Sequence, residues 1–192
     1  MTGKEIIHFT SDGIEMQIGN HPQKVWVMHN AEKSLMKRLA DIATQNGGNI
    51  LEIGFGMGLC SNRIQQNSKI TTHTIIEVHP DIYKKALEWA VDKPNVNILL
   101  GDWLDVIPHL KDIKFDGVLH DTCADPNIHK FIDVVKPICN RNCVVAFFLN
   151  PSDTDLDIIY HSLEDDEYNR LPYKNVPNFK DNSYKIKFKI IN

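Results

Sequence analysis

A chain of 192 residues with a formal net charge of −4 is long enough to fold as one domain around a full hydrophobic core. Its net negative charge provides no overall field that would attract nucleic acid, so we expect no nucleic-acid partner, although Lys185, Lys187 and Lys189 could form a local basic patch. No apolar run approaches the roughly 18 residues that a membrane helix needs, and the N-terminus lacks a signal-like apolar core. We therefore expect a cytoplasmic protein without a membrane partner.

The N-terminal segment predicts short strands at residues 6–9 and 13–18, and we expect residues 1–28 to form a lid over a substrate site within a single domain covering residues 1–192. Residues 30–45 predict a helix with Asn30 as its N-cap, because apolar residues recur on one face. Gly47 and Gly48 end that helix.

Strands and helices then alternate along the chain. The predicted strands are residues 49–54, 72–77, 96–100, 115–120 and 143–149. The predicted helices are residues 57–66, 80–91, 103–110, 125–135 and 151–163. This alternation predicts an α/β fold with a doubly wound, mostly parallel sheet and helices on both faces.

The C-terminal segment has a different pattern. Residues 184–190 alternate between apolar residues and three lysines, which predicts an antiparallel strand with one solvated face. We expect this strand to form a hairpin with residues 168–176 and to complete a seven-stranded sheet. The lysine row is typical of a solvated face that discourages edge pairing, which competes with its interpretation as a basic patch.

A glycine-rich turn follows the first predicted parallel strand. Gly54, Gly56 and Gly58 stand at alternate positions, and Glu77 ends the next strand about 20 residues later, an arrangement typical of a nucleoside-cofactor site. A dinucleotide turn usually has its third glycine three residues after the second, where this chain has Leu59. The spacing resembles motif I of the Rossmann-like S-adenosylmethionine (SAM) methyltransferases, whose sheet also closes with an antiparallel strand.

Ligands of open α/β sheets lie at the carboxyl ends of the strands, so the residues there are candidates for binding SAM. Glu77 and Val78 follow one strand, and Glu77 could accept hydrogen bonds from the ribose hydroxyls. Asp102 could meet the adenine edge or cap the next helix, and Trp103 could contact the adenine ring or belong to the core. The candidates on the glycine turn are Gly54, Phe55, Gly56, Met57 and Gly58.

Asp121 is the catalytic candidate because it ends the fourth parallel strand, beside the expected position of the transferred methyl group. A guanidinium is a poor nucleophile, and a carboxylate bound to it could localise its charge and accept its proton. The alternative is an aspartate that caps the following turn with Thr122.

Four segments resemble the guanidinoacetate N-methyltransferase family and its arginine-methylating relatives: Glu52-Ile-Gly-Phe-Gly-Met, Ile75-Ile-Glu, Gly101-Asp-Trp and Phe115-Asp-Gly-Val-Leu-His-Asp-Thr. The segment Val27-Met-His-Asn-Ala-Glu32 matches the family without a gap, and the resemblance covers residues 19–148. It implies that Met28 and Met36 contact SAM, and that Glu32 and Asp121 hold a guanidino group. A first-turn acid and core methionines are the structural alternatives.

Several positions differ from the family pattern. Ala31 and Cys123 replace aromatic residues, Asp102 replaces a leucine, and Pro151-Ser152 falls where the family has Thr-Ser for the substrate carboxylate. The chain is also shorter after the fourth strand, where the family carries substrate-covering elements. SAM binding is therefore better supported than guanidinoacetate as the acceptor.

We predict a SAM-dependent methyltransferase that acts on a small nitrogen nucleophile such as a guanidino compound and releases S-adenosylhomocysteine. The alternatives are an O-, C- or protein-nitrogen methyltransferase, an aminopropyl transferase using decarboxylated SAM, and a non-catalytic binding module. His29, His79 or His120 could serve as a general base, but their spacing predicts no metal site. The four cysteines are expected to be reduced and mostly buried. The acceptor and the oligomeric state stay open.

Overall fold

The computed structural model describes residues 5–123, 125–148, 157–162 and 183–191. Its N-terminal part is a three-stranded antiparallel sheet of β1 (Glu5–Phe9), β2 (Gly13–Ile18) and β3 (Lys24–His29). The two predicted N-terminal strands are confirmed. The third strand, β3, was not predicted from the sequence.

The first helix begins later than its sequence pattern predicts. A 3₁₀ turn covers Asn30–Glu32 and α1 covers Lys33–Ala43. Asn30 is not the N-cap, because His29 takes that position and accepts a hydrogen bond from the Ala31 N–H. Glu32 reciprocates by accepting from the His29 N–H at 2.9 Å, which completes a capping box.

The central sheet has seven strands: β4 (Gly48–Ile53), β5 (Ile70–Glu77), β6 (Val96–Leu100), β7 (Phe115–His120), β8 (Cys139–Phe148), β9 (Asp157–Ser162) and β10 (Ser183–Ile191). Their order in the sheet is β6-β5-β4-β7-β8-β10-β9. Strands β4 to β8 run parallel to one another, and β10 pairs antiparallel with both β8 and β9. The predicted α/β fold with a mostly parallel sheet and an antiparallel C-terminal strand is therefore confirmed.

Helices cover both faces of this sheet. On one face α1 and α2 pack Leu35, Leu39 and Ile64 against the sheet, and on the other Trp103 and Phe131 belong to a second cluster. The sheet is therefore buried on both faces, as its continuous apolar strands predict. The remaining helices are α2 (Leu59–Gln65), α3 (Pro80–Ala90), α4 (Trp103–Val106) and α5 (Phe131–Val135).

The helix predicted at residues 151–163 is wrong for its described part, because residues 157–162 form β9. The run Ile158-Ile159-Tyr160 has the β-branched and aromatic composition of a strand, and β9 pairs along its whole length with β10. The expected hairpin partner, residues 168–176, lies outside the described residues. Because β10 has a strand on each side, its lysine row does not protect a sheet edge.

The helix predicted at residues 125–135 is also shorter than expected. A 3₁₀ turn covers Ile128–Lys130, and α5 follows it. Asp125 lies before both elements, and its carboxylate is engaged by side chains from other parts of the fold. The helix predicted at residues 103–110 is divided in a similar way, into α4 and the 3₁₀ turn Ile107–His109.

All four cysteines are free thiols, as expected of a reduced protein. Cys60 and Cys143 are buried, Cys139 is half-buried and Cys123 is exposed. Half of the cysteines are therefore fully buried, where the sequence analysis expected most of them to be. Burial and the carboxylate of Glu52 raise the pKa of the Cys60 thiol well above its usual value, so this thiol behaves as a core residue.

Candidate active site

The turn between β4 and α2 is built from glycines because other parts of the chain approach it closely. Gly54 has φ of 88°, and a Cβ at this position would lie 2.2 Å from the Asp121 carbonyl oxygen. Gly56 has φ of 53°, and its Cβ would lie 2.8 Å from Met28 Cε. The turn is therefore packed directly against the end of β7 and against Met28, with no room for a side chain at either position.

Glu77 holds this turn from the end of the neighbouring strand. Its Oε2 accepts from the Phe55 N–H at 2.9 Å and its Oε1 accepts from the His79 N–H at 2.8 Å. The side chain is almost completely buried. Each carboxylate oxygen has capacity for a further hydrogen bond, so Glu77 can fix the turn and still accept from a ligand hydroxyl.

A cavity of about 370 Å³ opens at the carboxyl ends of the parallel strands, within the usual size range of small-molecule sites. Its described lining contains five carboxylate side chains and neither lysine nor arginine. Eight residues predicted to bind the cofactor line it: Met28, Gly54, Gly56, Glu77, Val78, Asp102, Trp103 and Asp121. Val78 is 64% exposed, so this apolar side chain is open to whatever enters the cavity.

Five other predicted site residues do not line this cavity. Met36 is completely buried in the core and its sulfur is 3.7 Å from Cys60 Sγ. Phe55 packs against Trp89 with ring centroids 5.5 Å apart. Met57 donates its N–H to Met28 Sδ at 3.3 Å, and Gly58 is the N-cap of α2. These four residues support the wall of the cavity. The fifth, Glu32, lies in the capping box before α1.

Asp121 lies in an environment that disfavours its charge. It is half-buried on the cavity wall, and removal from water together with the nearby carboxylates of Glu32 and Glu52 raises its pKa to about 8. Glu52 is fully buried; its Oε2 accepts from the Ser61 hydroxyl at 2.7 Å and lies 2.8 Å from His73 Nε2. Its Oε1 has no hydrogen-bond partner among the described residues.

Asp125 is a site residue that sequence reasoning missed. It lines the cavity, and its Oδ2 accepts from Trp103 Nε1–H at 2.8 Å and lies 3.0 Å from His120 Nε2. The Asp125-Pro126 pair resembles a helix start, which concealed this role. The only signal for it in the sequence is an acid a few residues after the strand that ends at His120.

Residues of the N-terminal sheet form the apolar side of the cavity. Ile7, Met16 and Val27 line it from three successive strands, and Glu5 lies at its edge. Sequence reasoning placed a lid here but proposed none of these four residues as site residues. His29 and His79 both act as N-caps, and His79 also lines the cavity.

The family model for guanidinoacetate N-methyltransferase matches residues 9–142, which include the glycine turn, Glu77 and Asp121. The chain belongs to this family. Protein arginine N-methyltransferase 2 of Yarrowia lipolytica is 32% identical over 146 residues, which cover 70% of this chain and 30% of that protein. The protein of the same name from Saccharomyces cerevisiae is 36% identical over 126 residues, covering 62% of this chain and 30% of that protein.

The chain thus spans about 30% of the length of these curated relatives. Among solved structures, a spermidine synthase in complex with the transition-state analogue AdoDATO matches with a TM-score of 0.62 at 10% identity, covering 98% of this chain and 68% of that one. A protein assigned as a caffeoyl-CoA O-methyltransferase from Staphylococcus aureus matches with a TM-score of 0.57 at 18% identity, covering 86% of each chain. At these identities the likeness shows the fold.

The family and the fold are both those of SAM-dependent methyltransferases. The predicted enzyme class and the predicted cofactor are therefore confirmed at the level of the family. Within the part of the chain that the structure describes, no helix has the length and apolar character needed to cross a membrane.

Proposed function

We propose that this chain transfers a methyl group from SAM to a guanidino nitrogen, and that the acceptor is an arginine side chain presented by a polypeptide. The observation that carries the proposal is the position of Asp121 on the wall of an acidic cavity, with Glu32 and Glu52 close enough to raise its pKa. A site with this charge attracts a cation, and a guanidinium is the cation whose planar donors match carboxylates.

The residues of the cavity fit SAM as the cofactor. Gly54, Gly56 and the side chain of Met28 form a closely packed wall. Glu77 has capacity to accept from ribose hydroxyls, and Val78 exposes an apolar surface suited to adenine. SAM supplies an electrophilic methyl group on a sulfonium when it is bound. The protein therefore has to supply alignment of the acceptor and removal of its proton.

Asp121 would remove the proton, and Glu32, which lies outside the described lining, would support it through its charge. A carboxylate with a pKa of about 8 is a stronger base than an ordinary aspartate, but in the ligand-free site it is mostly protonated at neutral pH and has to ionise first. A bound guanidinium relieves the repulsion among the carboxylates, so it favours the ionised form of Asp121 before the proton is transferred. Glu32 contributes negative charge from the start of the first helix, where its carboxylate is fixed by the His29 N–H.

An arginine side chain fits the charge of the cavity better than guanidinoacetate does. Guanidinoacetate carries a free carboxylate, and none of the described lining residues is a lysine or an arginine that would pair with it. The relatives are named protein arginine N-methyltransferase 2, and this name supports a polypeptide acceptor over the small molecule suggested by the sequence.

Methyl transfer from isotope-labelled SAM tests this proposal with three acceptors: an arginine-containing peptide, free arginine and guanidinoacetate. We expect the peptide to be the best acceptor and mass spectrometry to place the label on its guanidino group. The Glu32→Gln variant should lose most of this transfer, whereas Glu88→Gln, a change at an exposed residue of α3, should have none of this effect. Transfer to guanidinoacetate alone would contradict the polypeptide acceptor, and indifference to Glu32→Gln would contradict the guanidino site.

A further inference from the structure

Trp103 lies at the start of α4 and lines the candidate cofactor cavity, yet its indole is not positioned by apolar packing alone. Its ring makes edge-to-face contacts with His120 at 5.8 Å and with Phe131 at 5.7 Å between centroids. Such contacts define the plane of a ring. They do not choose between the two orientations that differ by a half-turn of the indole within its pocket.

Asp125 makes that choice through a hydrogen bond. Its Oδ2 accepts from Trp103 Nε1–H at 2.8 Å, which is possible in only one of the two orientations. The same oxygen lies 3.0 Å from His120 Nε2 on β7, and Oδ1 accepts from the Asn127 N–H at 2.8 Å. A single carboxylate therefore meets three N–H groups from three parts of the chain.

The charge state of Asp125 agrees with this arrangement. Burial raises the pKa of its carboxyl, but the hydrogen bonds from His120, the Asn127 backbone and Trp103 outweigh burial and hold the pKa below its usual value. Asp125 is therefore an anion at neutral pH and can only accept hydrogen bonds. This requires His120 Nε2 to carry the proton in that contact.

We propose that Asp125 is a positioning residue that holds the Trp103 indole in one orientation against the cofactor's adenine and ties that wall to the end of the strand carrying Asp121. The inference rests on the proposed function, because it assumes that the cavity binds SAM. It assigns to Asp125 a role in cofactor affinity and none in the chemistry of methyl transfer.

The first test is the affinity for S-adenosylhomocysteine, measured by calorimetry on the full chain. Asp125→Ala removes all acceptors, and we expect it to weaken binding about tenfold, the equivalent of one lost hydrogen bond. Asp125→Asn keeps one acceptor for the indole N–H and should stay within about threefold of wild type. Asp105→Ala, a change at an exposed acid on α4, the helix that begins at Trp103, is the matched control and should have no effect.

A double-mutant cycle separates positioning from general destabilisation. Trp103→Phe removes the indole N–H, so Asp125→Ala should weaken binding less than about twofold further in that background. The Trp103 indole N–H resonance, observed by NMR, should move in Asp125→Ala and stay near its wild-type position in Asp105→Ala. At saturating SAM, kcat should fall less than about threefold while KM for SAM rises in line with the affinity.

The outcomes distinguish this inference from the proposed function. If the wild-type chain binds no S-adenosylhomocysteine, both are overturned. If wild type binds and Asp125→Ala binds equally well, only the role of Asp125 is overturned. The same conclusion follows if Asp125→Ala weakens binding by the same factor in the wild-type and the Trp103→Phe backgrounds. Should Asp125→Ala fail to fold, Asp125→Ser, whose side chain is too short to reach the indole N–H, replaces it in the cycle, and a loss that persists undiminished beside Trp103→Phe contradicts positioning.

Discussion

Asp121 and Asp125 line the same cavity, but the chain surrounds them in opposite ways. Asp121 faces the carboxylates of Glu32 and Glu52, and its pKa is raised to about 8. Asp125 faces three N–H donors, and its pKa is lowered. The difference shows how one residue type can supply a base on one side of a site and an anchor on the other, because the neighbours decide which form of the carboxyl is stable.

The largest expected effect concerns turnover. Asp121→Asn removes the proton acceptor and should reduce kcat for methyl transfer by at least about a thousandfold, in the range typical of a lost general base. The affinity for S-adenosylhomocysteine, measured by calorimetry, should stay within a few-fold of wild type. Equal losses of turnover and affinity would mean that Asp121 serves the cofactor site and not the proton transfer.

The stability of the ligand-free protein should change in opposite directions in the two variants. An acid whose folded-state pKa is raised contributes stability below its unfolded pKa, and this stability is lost as the pH rises toward 8. Asp121→Asn should therefore raise the free energy of unfolding at pH 8 to 9, by at least about 1 kcal/mol. Asp125→Ala should lower it by about 1–3 kcal/mol, because buried N–H groups lose their acceptor.

Urea unfolding at pH 5 and pH 9 measures both effects. The stabilisation by Asp121→Asn should be larger at pH 9 than at pH 5, since the wild-type carboxyl is mostly protonated at the lower value. The lowered pKa of Asp125 predicts no such difference, because its contribution is fully present at both pH values, above the unfolded pKa of about 4, and is lost only in stronger acid. If both variants changed the free energy of unfolding in the same direction, the proposed difference between the two carboxylates would be contradicted.

A smaller effect is expected from Glu52, which contributes to the raised pKa of Asp121 without lining the cavity. Glu52→Gln keeps the size of the side chain and removes its charge. The acidic limb of the kcat/KM profile should then move to lower pH, because the carboxyl of Asp121 ionises more easily. The control is Glu88→Gln, whose profile should overlay that of wild type. An unmoved limb in Glu52→Gln would show that Glu52 does not contribute and that burial and Glu32 set the pKa of Asp121.

The sequence predicted the parts of the site that depend on local geometry. Gly54, Glu77 and Asp121 each stand at the end of a strand, and strand ends in a parallel sheet meet at one edge, so their proximity follows from the alternation of elements. The five parallel strands were also predicted from local pattern, because a short continuous apolar run bounded by turn residues indicates a buried strand.

The parts that the sequence did not predict depend on contacts between distant segments. Asp125 is engaged by Trp103 and His120, and nothing in the local pattern around Pro126 indicates either contact. Strand β9 has its conformation because β10 pairs with it, and its sequence alone also suits a helix. Met36 follows the family pattern but is buried behind Cys60, which only the packing of α1 on α2 reveals.

The most direct test of the account is the pKa of Asp121 itself, measured by titrating its ¹³C-labelled carboxyl by NMR in the ligand-free protein. We expect a value of about 8 that falls when S-adenosylhomocysteine and an arginine-containing peptide are both bound, because the guanidinium stabilises the carboxylate. A value near that of an ordinary aspartate, about 4, that does not respond to the peptide would contradict the assignment of Asp121 as the proton acceptor.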